Sequence, residues 1–166
     1  MSLFHFRETT ESDRTYIARL NYLTEVMGDE TLDPGEGFEE DVRFYVDSWR
    51  AERGGVLAYD AFEVPAGGVW LNWGTAEFHG FGFTRPEVPE LALAVEPRHR
   101  RRGVGGRLLR AATGLAAELG APAVSLCVDE WNTGAHTLYL KEGFAQVHHD
   151  IENSFYILEK PTSAAD

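Results

Sequence analysis

Apolar and polar positions alternate over Leu3-Phe4-His5-Phe6-Arg7 and predict a short opening strand. The period then changes: Tyr16, Ile17, Leu20 and Leu23 recur at helical spacing behind Ser12, which is able to cap a helix starting at Asp13. Asp33-Pro34-Gly35 interrupts the chain as a turn, and Phe38, Val42, Tyr45, Val46 and Trp49 mark a second helix. Residues 56–59 and 68–73 read as two strands joined through Val64-Pro65-Ala66-Gly67-Gly68, and residues 80–83 and 85–89 as a loop ahead of a central strand at Glu90–Val95. An apolar stripe of Val104, Leu108, Ala112, Leu115 and Leu119 predicts a long helix stopped by Gly120 and Pro122. A strand at 123–128, a short helix from 133 to about 142, and strands at 144–147 and 155–158 complete the chain.

The order is β1-α1-α2-β2-β3-β4-α3-β5-α4-β6-β7, an α/β arrangement with a mixed, largely antiparallel sheet. At 166 residues the chain is long enough to bury roughly 70% of its unfolded surface. No internal repeat or linker divides it, so residues 1–166 are expected to form a single domain. No apolar run has the length of a signal-peptide core or a membrane span, which predicts a cytoplasmic protein without membrane contact. The single cysteine, Cys127, excludes an internal disulfide and falls in the apolar run 123–128, where a packed strand residue is expected rather than a nucleophile.

Charge changes the picture in two places. The net charge of −12 repels a phosphate backbone and argues against nucleic acid as a partner. Residues 25–47 concentrate that charge, with nine carboxylates against Arg43 alone. Against this background six of the fifteen basic side chains, Arg98, Arg100, Arg101, Arg102, Arg107 and Arg110, crowd one short segment.

That segment carries the candidate chemistry. Between the central strand and the long helix runs Arg100-Arg101-Arg102-Gly103-Val104-Gly105-Gly106. A helix N-terminus has unpaired N–H groups and about half a positive charge, so a glycine-rich entry flanked by arginines seats phosphate oxygens. Glycines let a diphosphate approach the backbone, and arginines add forked donors. A Walker loop is absent, and a Rossmann fingerprint fails because Leu108 stands where its third glycine belongs.

The string Arg-x-x-Gly-x-Gly at residues 100–105 resembles the acetyl-CoA signature of the GCN5-related N-acetyltransferase (GNAT) superfamily. Asn132-Thr-Gly-Ala135-His-Thr-Leu138-Tyr139-Leu-Lys-Glu-Gly143-Phe144 is similar to its other signature and fills every fixed position. The resemblance implies acetyl-CoA as cosubstrate, with no metal, and transfer of acetyl to a primary amine of a small molecule by direct attack. Acetylation of a protein N-terminus or lysine, and a non-catalytic acyl-CoA-binding module, are the alternatives, and a homodimer is compatible with either.

Carried over residue by residue, the resemblance implies that the cofactor's pantetheine arm lies along the backbone of Leu93, Ala94 and Val95 like an added strand. It further implies that residues 100–106 hold the diphosphate, that Asn132 caps its helix and touches the cofactor, and that Tyr139 is the general acid. A phenol of reference pKa about 10 suits protonation of a thiolate. The general base is less defined. Glu90 is the carboxylate within the central strand, on the face opposite Leu91, Leu93 and Val95 if alternation is strict, with Glu77, His79, Glu87 and Asp129 as alternatives. His148-His149-Asp150, His99 and His136 read as solvated surface, and Trp70 and Trp73 as packing residues.

Overall fold

The computed structural model describes residues 3–163. All seven expected strands form, in one sheet ordered β1-β2-β3-β4-β5-β7-β6. They are β1 (Phe4–Glu8), β2 (Gly55–Asp60), β3 (Pro65–Asn72), β4 (Glu90–Val95), β5 (Ala123–Asp129), β6 (Ala145–Asp150) and β7 (Phe155–Pro161). Every neighbouring pair is antiparallel except β4 and β5.

Alternation along the strands divides the interior into two layers. Val56, Val69, Leu71 and Leu91 pack with Leu108, Leu109 and Ala112 of α3 (Val104–Glu118) on one face of the sheet. Leu57 and Trp70 pack on the other face, with Ile17, Leu20 and Leu23 of α1 (Arg14–Glu25) and with Phe44, Tyr45 and Trp49. The second helix begins as α2 (Phe38–Val42) and widens into a π turn over Arg43–Asp47, which brings Phe44, Tyr45 and Val46 inward together. A last helix, α4 (Thr133–Lys141), follows β5, with the Asn132 side chain accepting the Ala135 N–H at its start.

Three local expectations change. The entry to α1 is a tight turn over Glu11–Asp13 whose N-cap is Thr10 rather than Ser12, and Asp13, three residues on, accepts the Thr10 N–H at 2.7 Å. The strand expected to end at residue 147 runs on to Asp150, so His148, His149 and Asp150 are strand residues. His149 pairs with Glu130 and tilts against Tyr156. His99 is buried, edge-on to Phe4 and 3.3 Å from Asp60, and His136 is half-buried beside Tyr156, because apolar rings shelter both imidazoles.

Among the described residues no helix is long and apolar enough to cross a membrane. Glu96, just beyond β4, fastens α1 to the end of the central strand: Arg19 reaches both of its oxygens, at 2.8 and 3.1 Å, and the Tyr16 hydroxyl donates at 2.7 Å. Burial opposes charge on Glu96, but these donors outweigh it and hold the carboxyl below its usual range.

Candidate active site

β4 and β5 start as neighbours and then part. Among the described residues one register pair joins them, Glu90 with Ser125, whereas β4 pairs with β3 along its whole length from Glu90–Asn72 to Val95–Gly67. The β5 side of the Leu93-Ala94-Val95 backbone therefore borders an opening, and all three residues are half-buried. A strand edge with unpaired N–H and C=O groups is a template for an extended ligand.

The wide end of this opening meets the start of α3. Gly103 stands before the helix at φ 80°, and no side chain caps it. The first α-helical bond runs from Arg107 N–H to Gly103 C=O, so the amides of Val104, Gly105 and Gly106 precede the hydrogen-bonded ladder. A Cβ on Gly105 would stand 3.3 Å from Leu138 of α4 and 3.9 Å from Val95 of β4, filling the space where strand, helix start and α4 converge. The arginines are not equivalent. Arg101 (φ 62°) and Arg102 are exposed beside the helix start, while Arg100 bends away to the Met27 carbonyl at 3.4 Å. Arg107 lies over the Phe6 ring, Arg110 bonds Glu142, and Arg98 bonds the Pro65 carbonyl. The clustering seen in the sequence thus separates into two arginines at the seat and others that brace its surroundings.

At the narrow end Glu90 is buried, 3% exposed, on the α1/α2 face that alternation predicts. The Tyr45 hydroxyl donates to its Oε2 at 2.6 Å and accepts the Phe81 N–H at 3.0 Å; Glu90 Oε1 has no hydrogen-bond partner among the described residues. The loop between β3 and β4 lies directly over this carboxylate. A Cβ on Gly80 would fall 2.6 Å from Oε1, and one on Gly82 would fall 2.9 Å from Glu90 Cδ, so the absence of side chains there permits the covering. Ser125 Oγ fastens the loop by donating to the Gly82 carbonyl at 2.6 Å. Burial raises the Glu90 carboxyl to about 7; the Tyr45 phenol and the Gly82 amide, close but outside hydrogen-bond geometry, pull it back, and Asp41 pushes it up.

Other acids converge on the same face. Burial and then Glu25 and Glu40 raise Asp41 to about 6, and burial and then Glu25 raise Asp129. Cys127, between Ser125 and Asp129 on β5, is pushed well up by burial and by Glu90, Asp129 and Asp41, which keeps it a protonated thiol. Tyr139 on α4 is raised by burial and by Cys127, and its ring meets Phe144 edge-on at 6.0 Å. The phenol is thus held with its proton on, near the thiol that senses Glu90.

The structure brings Tyr139, Cys127, Glu90 and Asp129 to one centre and leaves three candidate bases outside it. Glu87 is exposed and paired with Arg85 at 3.2 Å, while Glu77 and His79 are exposed on the lining of the adjoining cavity, with His79 stacked on Phe83 at 4.5 Å. Sequence reasoning missed Tyr45 as the partner of Glu90 and did not single out Asp41 and Glu25 from the acidic stretch. A helical phase was the available signal: Asp41 precedes the buried Phe44-Tyr45-Val46 by one turn.

The model of the acetyltransferase (GNAT) family matches residues 23–144. The chain belongs to the GNAT acetyltransferase family. With it the chain joins the acetyl-CoA-dependent N-acetyltransferases. No curated protein matches the chain. Its fold resembles spermidine N-acetyltransferase from Vibrio cholerae in complex with CoA and spermine (TM-score 0.67, 20% identity, 98% of this chain and 97% of that one). It also resembles the YncA protein of Salmonella typhimurium with its cofactor acetyl-CoA (TM-score 0.71, 14% identity, covering 99% and 96%) and a GNAT acetyltransferase from Staphylococcus aureus (TM-score 0.65, 15% identity, covering 96% and 99%). At these identities the likeness is one of fold.

The buried acid makes stability depend on pH. A carboxyl held at about 7, above its unfolded value, contributes stability that is complete below the unfolded pKa and lost as pH rises through 7. The Glu90→Gln variant is expected to gain on wild type by about 3 kcal/mol between pH 5 and pH 8. Urea or thermal unfolding across that range measures it, and parallel curves for the two proteins would refute the assignment.

Proposed function

We propose that the protein transfers acetyl from acetyl-CoA to a primary amine of a small molecule, by direct attack within a complex of both substrates. The observation that carries this reading is the opening between β4 and β5, with an uncapped glycine helix start at one end and a buried acid at the other. The residues fit the cofactor: the space at Gly105 that a Cβ would fill admits a diphosphate to the Val104, Gly105 and Gly106 amides, with Arg101 and Arg102 alongside. Leu93, Ala94 and Val95 offer a strand edge to the pantetheine arm, and Asn132 stands at the start of α4. Bound acetyl-CoA would supply an activated thioester acetyl group.

The chain's own groups manage charge and protons. Glu25, Asp41 and Asp129 attract an ammonium and lower the cost of bringing it to the site. Glu90, poised near neutrality, is the base; Tyr45 links it to the cleft by passing its own proton to Glu90 Oε2 as it takes one at Oη. Tyr139, held protonated, gives its proton to the departing thiolate. Cys127 is surrounded by carboxylates that suppress its thiolate, which favours direct attack over an acyl-cysteine.

Two outcomes follow. Purified protein mixed with acetyl-CoA and primary amines should release thiol in step with acetylated amine, and Gly105→Glu should nearly abolish acetyl-CoA binding by placing bulk and negative charge at the helix start. No thiol release with any amine, or unchanged affinity by calorimetry, would overturn the reading. Wild-type kcat/KM should rise about tenfold per pH unit below about 7 and level above it, while Glu90→Gln loses that limb; an unchanged profile would exclude Glu90 as the base.

A further inference from the structure

A cavity of about 630 Å3 lies beside the reaction centre, between α2, the β3–β4 loop and the β6–β7 hairpin. Its relation to the centre follows from strand register. Cys127 opposes Ile157, which opposes His148; Asp129 opposes Phe155, which opposes Asp150. Directly opposed residues project from the same face, so two side-chain rows run from the centre on β5 across β7 to β6 and form the cavity floor. Tyr45 and Gly80, which touch the Glu90 carboxylate from above, line the same cavity.

The walls are aromatic. Phe44 meets Phe78 edge-on at 5.3 Å, and Phe81 meets Phe155 edge-on at 5.9 Å, so two ring pairs bound the space. Phe78 and Phe81 stay 48% and 53% exposed, although a folded chain gains by covering such rings. The carboxylates sit at the margins, and they differ in availability. Asp150 accepts two hydrogen bonds from Asn153 and is committed to the hairpin turn, whereas the Asp41 carboxylate has no hydrogen-bond partner among the described residues and lies toward Glu90 and Cys127. Glu40 and Glu77 also line the cavity, but they are exposed and share it with the exposed Arg43, so Asp41 is its one half-buried acid without a hydrogen-bonded partner among the described residues. A single ammonium on an aromatic body matches both regions.

Resting on the acetyltransferase reading above, we propose that the acceptor is an arylalkylamine, with its ring between the Phe78 and Phe81 walls and its ammonium facing Asp41 and Asp129. The cavity is then the specificity pocket of the enzyme. Its size accommodates one ring system with a short alkyl arm.

The test compares phenethylamine, n-propylamine and spermidine as acceptors at saturating acetyl-CoA. The expected kcat/KM for phenethylamine exceeds those of the other two by at least about tenfold, the gain from enclosing one ring. Phe81→Ala should raise KM for phenethylamine by about tenfold, a larger loss than it causes for n-propylamine, with KM for acetyl-CoA unchanged. A preference for spermidine, equal rates for all three amines, or an equal loss on all three in Phe81→Ala would overturn the arylalkylamine assignment while leaving the acetyltransferase reading intact. If no amine releases thiol, that reading fails instead. Calorimetry of phenethylammonium with wild type and Phe81→Ala then decides the pocket: binding weakened by the substitution supports it, and no binding, or equal binding, refutes it.

Discussion

The constraint on which the structure depends is the parting of two parallel strands. A central strand with one bare edge is costly in a buried sheet, because each unpaired backbone group loses its water without gaining a partner. Here the edge of β4 is left open beyond Glu90, and the elements around it are placed to make the opening usable rather than to close it. The start of α3 faces its wide end, α4 brings Leu138 and Tyr139 along one side, and α1 is fastened to the end of β4 through Glu96. In the proposed function an extended ligand would complete the sheet at this edge.

Electrostatics divide the opening by substrate. At the outer end an uncapped helix start and two exposed arginines, Arg101 and Arg102, stand against a net charge of −12. At the inner end Glu25, Asp41, Asp129 and Glu90 raise one another or the neighbouring thiol and phenol. Crowded acids raise the cost of ionisation, and an arriving cation relieves it. Burial, added to by these acids, keeps the Cys127 thiol protonated, and burial with Cys127 beside it keeps the Tyr139 phenol protonated.

Much of this was legible in the chain. The two signature strings fixed α3 and α4, and the alternation of Glu90 against Leu91, Leu93 and Val95 put the acid on the correct face, because these patterns are local. What escaped was tertiary. Residues 80–83 resemble an ordinary loop, and nothing in Gly80-Phe81-Gly82 announces that its glycines must clear a carboxylate ten residues ahead. The nine acids of residues 25–47 look alike in one dimension; packing turned Asp41 and Glu25 toward the site and left Glu36 and Glu39 in solvent. His148 and Asp150 failed to read as strand because the face they occupy lines a cavity instead of a core.

The most direct test of this account is the rate of the chemical step when Tyr139 loses its hydroxyl. Tyr139→Phe removes the phenol hydroxyl, the proposed proton donor, and keeps the ring that meets Phe144. Single-turnover mixing of acetyl-CoA-loaded protein with amine should show acetyl transfer slowed by about 10²- to 10⁴-fold at unchanged acetyl-CoA affinity. A single-turnover rate equal to wild type would contradict the account, leaving Tyr139 as a packing residue beside Phe144.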